Sequence, residues 1–97
     1  MNEYKDPALT DSLKIPEDVL FRELDDEAVL LNLKTGIYFG LNPVATRIWQ
    51  LLSEQRSLSS VLDTMLLEYE IDRGVLEKDL LDLTRQLCAK GLAEVVC

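Results

Sequence analysis

The groups in this chain that could carry out chemistry are carboxylates. Eighteen Asp and Glu stand against ten Lys and Arg, there is no histidine, and the formal net charge is −8. Paired carboxylates can do acid–base work when their environments hold one protonated and the other ionised. Two clusters have suitable spacing: Asp25-Asp26-Glu27, and Glu77, Asp79 and Asp82 in a stretch that also carries Arg73, Lys78 and Arg85. The first lies between two short apolar runs, where turn chemistry alone favours solvated acidic residues. In the second, opposite charges recur three or four residues apart, as on a solvated helix face. Its functional alternative is a polar contact to a bound peptide.

Other reactive types are missing or isolated. Without histidine, a histidine-dependent triad and most zinc sites are excluded. Cys88 and Cys97 form no spacing motif, cannot supply a four-ligand metal site, and read as free thiols. Gly36, Gly40, Gly74 and Gly91 stand singly, so there is no phosphate loop or dinucleotide-type pattern. Trp49 and Tyr69 fall at helical core spacing and read as packing rather than a ligand cage. The sequence therefore predicts no enzyme, no metal and no cofactor. The ten basic residues are scattered with no basic run, which argues against nucleic acid and anionic membrane surfaces. The opening MNEYKDPALTDS has neither a basic nor an apolar signal segment, and no apolar run is long enough to span a bilayer, so a cytoplasmic location is expected.

The elements that would position a site follow from periodicity. Residues 1–17 are polar with Pro7 and Pro16 and read as a flexible or loosely docked arm, and residues 18–97 as one domain. Three β-like runs come next, at 19–24, 28–33 and 37–41, separated by the acidic triplet and by Lys34-Thr35-Gly36, each short enough for a hairpin. In the third run, strict alternation points Ile37, Phe39 and Leu41 to the core and Tyr38 and Gly40 away from it.

Three helices are then predicted: 43–54 behind Asn42 and Pro43, 58–70 behind Ser57, and 73–90 behind Asp72 with Gly91 as the stop. On the last, Leu76, Leu80, Leu83 and Leu87 form one stripe and Leu81 and Cys88 a second. Residues 92–96 read as a short extended piece. The class is α+β: a three-stranded antiparallel sheet followed by three helices, winged-helix-like in order.

Residues 19–94 resemble the PqqD-like family, which includes pyrroloquinoline quinone biosynthesis protein D and the leader-recognition elements of ribosomally made, modified peptides. The resemblance rests on Val29-Leu30-Leu31-Asn32-Leu33-Lys34-Thr35-Gly36-Ile37-Tyr38-Phe39, on Leu41-Asn42 with Ala45 and Ile48-Trp49, and on Asp79-Leu80 with Leu83, Leu87 and Gly91-Leu92-Ala93-Glu94. It looks closer to the stand-alone leader binders of lasso-peptide clusters than to the quinone-pathway protein. The resemblance implies a peptide chaperone without catalytic activity. A precursor leader would add as a strand along Ile37, Tyr38, Phe39, Gly40 and Leu41, with a groove wall from Leu76, Asp79, Leu80 and Leu83. Its other partner would be a radical-SAM protein, a cyclase or a leader protease.

The 37–41 run has no charge and no proline, the usual protections of an edge, although Gly40 could mark a protective bulge. Most of the leucine stripe must belong to the core. A scaffold or homodimer module, pairing free edges or packing the Leu81/Cys88 stripe, is the first alternative. A winged-helix DNA binder is the second, and it is disfavoured because residues 73–90 carry four basic and three acidic side chains on a strongly acidic chain.

Overall fold

A computed structural model describes residues 7–25 and 27–96. The first six residues of the expected arm, Asp26 of the acidic turn and the Cys97 thiol lie outside them. The order is β1 Ser12–Lys14, β2 Val19–Leu24, β3 Glu27–Asn32, β4 Tyr38–Leu41, α1 Pro43–Gln55, α2 Leu58–Glu68, α3 Arg73–Ala89 and β5 Glu94–Val96. β2, β3 and β4 make a three-stranded antiparallel meander, followed by the three helices. The pairing runs without a bulge, with Phe21, Leu30 and Phe39 in one cross-strand row and Leu20, Leu31 and Tyr38 in the next. Gly40 sits opposite Val29 in regular register, so it marks no bulge.

Each helix begins at its expected cap. The side chains of Asn42, Ser57 and Asp72 accept the amides of Ala45 at 2.8 Å, Ser60 at 3.4 Å and Val75 at 3.2 Å. α2 ends at Glu68, before Tyr69 turns to an extended conformation. No helix among the described residues is long and apolar enough to cross a membrane.

Two expectations need correction. Ile37 is 40% exposed instead of facing the core. It still belongs to the turn: its amide is taken by Thr35 Oγ1 while its carbonyl accepts from Asn32, and regular alternation starts only at Tyr38. The stretch read as an arm is docked from Ser12 onward. β1 pairs with β5, the Leu13 amide donates to the Arg56 carbonyl at 2.9 Å, and Leu13 is 2% exposed. Leu9, Leu13 and Ile15, the scattered apolar groups of that stretch, all contribute to the core.

The core lies between the sheet and the helices. Leu30 and Leu41 from the strands meet Trp49, Leu52, Leu62, Leu76, Leu80 and Leu87 from the helices, and the Trp49 ring stacks on Phe21 at 6.4 Å. Thr84 is buried on α3 and returns its hydroxyl to the Leu80 carbonyl at 2.8 Å. α1 and α2 are clamped at the surface by a two-pronged ion pair, Arg47 Nε to Glu68 Oε1 at 2.8 Å and Nη2 to Oε2 at 2.6 Å. The hydrogen bonds from Arg47 hold the Glu68 carboxyl below the usual value.

Asn32, 6% exposed at the end of β3, is the polar centre of the fold. Its Oδ1 accepts the amides of Lys34 at 2.8 Å and Thr35 at 3.2 Å, and its Nδ2 donates to the Gly91 carbonyl at 2.9 Å. One side chain thus closes the β3–β4 turn and ties it to the residues that end α3. Gly91 has φ +72, which suits glycine where a helix stops.

Removing Asn32 takes away the partner of the Lys34 and Thr35 amides and of the Gly91 carbonyl, in part-buried bonds, so Asn32→Ala should cost about 1–2 kcal/mol. Urea unfolding followed by Trp49 fluorescence would measure it, and an unchanged midpoint would contradict the role given to Asn32. For Glu68 the sign is that of a carboxyl depressed in the folded state. Its contribution is present above the unfolded-state pKa and lost as pH falls through the folded one. Glu68→Gln should therefore lower the urea midpoint at pH 7 and leave it unchanged in acid below the carboxylate range.

Candidate functional site

β4 is an edge strand of the meander, and its backbone polarity can be read from the ladder. In an antiparallel pair, opposed residues alternate between those that exchange hydrogen bonds and those that do not. The Asn32 amide donates to the Ile37 carbonyl at 2.8 Å, which places the 32/37 pair among the bonded ones. By alternation 30/39 and 28/41 are bonded too, so the amides and carbonyls of Phe39 and Leu41 turn inward to β3. Those of Tyr38 and Gly40 turn outward, to the open side. The Leu33 amide, bonded to the Asp18 carbonyl on the β2 side, confirms the phase.

The two edges of the sheet differ. β2 carries Arg22 and Glu23, follows Pro16, and its first outward amide, that of Val19, is already taken by the Pro16 carbonyl at 3.2 Å. Such features blunt an edge. β4 contains Tyr-Phe-Gly-Leu, with no charge and no proline, and Tyr38 is 74% exposed. A Cβ added at Gly40 would meet nothing within 4 Å. A small hollow of about 290 Å³ opens beside Gly40, Leu41 and Asn42. A larger one, about 710 Å³, lies elsewhere, between β1 and the end of α1 around Ile15, Leu52 and Arg56.

The residues anticipated as a wall on α3 differ in burial. Leu76 and Leu80 are each 1% exposed and belong to the core. Leu83 is half-buried and Asp79 exposed. At about 100° per residue, Asp79 and Leu83 fall on one flank of the buried row Leu76–Leu80–Leu87, and Lys90 falls on the same flank. At the end of that flank, Lys90 Nζ lies 5.9 Å from the centroid of the Phe39 ring. Phe39, half-buried and aligned with Leu30, is the last apolar side chain of its row before the open edge. Of the residues anticipated for the site, Tyr38, Phe39, Gly40 and Leu41 lie on β4, Ile37 lies at the turn before it, Leu76 and Leu80 lie in the core, and Leu83 and Asp79 lie on one flank of α3.

Two residues that shape this place were missed. Asn32 fixes the spacing between the hairpin turn and the end of α3, and only its polar character at an inward position could have pointed to it. Lys90, the last residue of the helix expected from the sequence, sends its side chain across to the strand.

On α3 away from β4, charges are paired. Asp82 accepts from Lys78 at 3.2 Å and from Arg85 at 2.9 Å, bonds that hold its carboxyl below the usual value. This cluster is on the far face of α3 and is a solvated ion-pair ladder. Cys88 is half-buried, and burial, with Glu94 nearby, pushes its thiol above the ordinary value, the opposite of an activated nucleophile. No group of three or more potential metal ligands occurs among the described residues.

The family model for coenzyme PQQ synthesis protein D (PqqD) matches residues 27–93, which span β3, β4 and all three helices. Among solved structures the chain is similar to TbiB1 in complex with the TbiA(beta) leader peptide. The two are 46% identical with a TM-score of 0.78, over 84% of this chain and 94% of that one. It is also similar to lasso peptide synthetase B1 complexed with the leader peptide, at 29% identity and a TM-score of 0.76, over 86% of this chain and 98% of that one. No curated protein matches it.

The division of the α3 stripe has a direct consequence for stability. Leu80→Ala should cost about 2–5 kcal/mol as a fully buried truncation, and Leu83→Ala clearly less because its side chain is already partly in water. Equal losses in urea unfolding would show that Leu83 is core and not groove.

Proposed function

Because the chain belongs to the PqqD family, we propose that it is a non-catalytic module that binds the leader of a ribosomally made precursor peptide and presents it to a modifying enzyme. The observation that carries this reading is the outward-facing backbone of Tyr38 and Gly40 on an uncharged edge strand. An extended leader laid along that edge would receive two amide donors and two carbonyl acceptors whatever its sequence, which gives sequence-tolerant affinity. Its alternate side chains would enter the space bounded by Phe39, Leu83 and Asp79, which supplies selectivity. Leu76 and Leu80 would hold that wall in place without touching the peptide.

The two similar structures are both described as complexes with a leader peptide, one of them of a lasso peptide synthetase component. This supports a lasso-peptide precursor as the cargo. A radical-SAM protein, a cyclase or a leader protease is the class of enzyme that would receive it. Because the module contributes main-chain pairing and shape, the chemistry on the core segment of the precursor belongs to that enzyme.

Gly40→Pro removes one outward donor while leaving the bonds to β3, and proline is tolerated on an edge facing away from the ladder. With the TbiA(beta) leader as probe, Gly40→Pro should weaken binding by tenfold or more. Gly40→Ala, which meets open space, should bind nearly as the unaltered chain. Circular dichroism would confirm that both variants fold. Equal affinity of Gly40→Pro and the unaltered chain would rule out strand addition at β4.

A further inference from the structure

The end of the groove next to the hairpin turn carries a charge opposite to that of the protein. Lys90 ends α3 with its ammonium group over the Phe39 ring. Lys34 lies in the turn that leads to β4, its amide held by the same Asn32 oxygen that closes the turn. No carboxylate among the described residues pairs with Lys90 or Lys34. In a chain with net charge −8, an ammonium group over Phe39 and a second lysine in the adjacent turn run against the overall sign.

The position of Lys90 is set by backbone contacts and not by its own flexible stem. Its amide returns to the Gln86 carbonyl at 3.1 Å, and the next residue, Gly91, is tied through its carbonyl to Asn32 at 2.9 Å. From that fixed backbone the side chain reaches the Phe39 ring, on the row of β4 nearest the open edge. A cation over an aromatic face at an exposed site is worth only about 0.5–1 kcal/mol, so a carboxylate can recruit it at little cost.

Resting on the reading of β4 as the leader-binding edge, we infer that Lys90 is a specificity-determining residue that selects a leader with an Asp or Glu facing the groove beside Phe39. Lys34 reinforces the same preference. The rest of the acidic surface disfavours carboxylates elsewhere along the leader, so the preference is confined to one position. At the other end of the helix flank, the exposed Asp79 sets the opposite preference.

The test uses the full chain and TbiA(beta) leader peptides carrying single Glu or single Lys substitutions along the strand-forming stretch. For the unaltered chain, one position should favour Glu over Lys by about two- to fivefold, the range of an exposed charge pair. Lys90→Glu should invert that preference at the same position. Lys90→Met, which keeps the apolar stem, should abolish it without inversion. Backbone amide shifts of Tyr38 to Leu41 on titration report strand uptake separately. Strand uptake with no position inverting between the unaltered chain and Lys90→Glu would overturn the role of Lys90 alone. Absence of those shifts would overturn the binding edge and this inference together.

Discussion

The arrangement of the molecule depends on the buried amide of Asn32. The β3–β4 turn and the end of α3 are far apart in sequence, and each has backbone groups that its own element cannot satisfy. A buried polar group without a partner costs more than a made hydrogen bond gains. One side chain that accepts from the turn and donates to the helix end therefore couples the two strongly. The coupling ties the turn that leads into β4 to the residue that follows α3. The apolar core around Leu30, Trp49 and Leu80 makes the domain stable.

The open edge is a liability turned to use. An unpaired strand without charge or proline invites pairing with any extended chain. The other edge of the same sheet is defended by Arg22, Glu23 and the Pro16 contact, so the exposure of β4 is selective. Under the proposal, the net charge of −8 would disfavour acidic chains except beside Lys90. In the proposed mode, main-chain pairing would supply attachment and the helix flank discrimination. Neither requires a reactive group. The ionisable clusters agree with this: Asp82 and Glu68 are held ionised by cations, and the Cys88 thiol is held protonated by burial.

Much of this was legible in the sequence because it rests on local periodicity. The caps at Asn42, Ser57 and Asp72, the glycine stop at Gly91 and the three strand-like runs are one-element features, and the structure places each within a few residues of where the pattern put it. What failed depended on contacts between elements. Ile37 kept the alternation of a strand residue but was held in the turn by Thr35. Leu13 looked like an isolated apolar residue in a polar stretch, and only pairing with β5 at the other end of the chain explains its burial. At the candidate site, the edge strand could be read directly, whereas the leucine stripe could not be divided. Helical spacing puts Leu76, Leu80 and Leu83 on one face, and which of them reaches the surface is decided by how α3 leans on its neighbours.

The central claim is that a leader pairs with the outward backbone groups of β4, and hydrogen exchange resolved by residue tests it most directly. Leader addition should slow exchange at the Tyr38 and Gly40 amides and leave Phe39 and Leu41, already bonded to β3, nearly unchanged. Protection that skips Tyr38 and Gly40, or that appears on β2 instead, would contradict it.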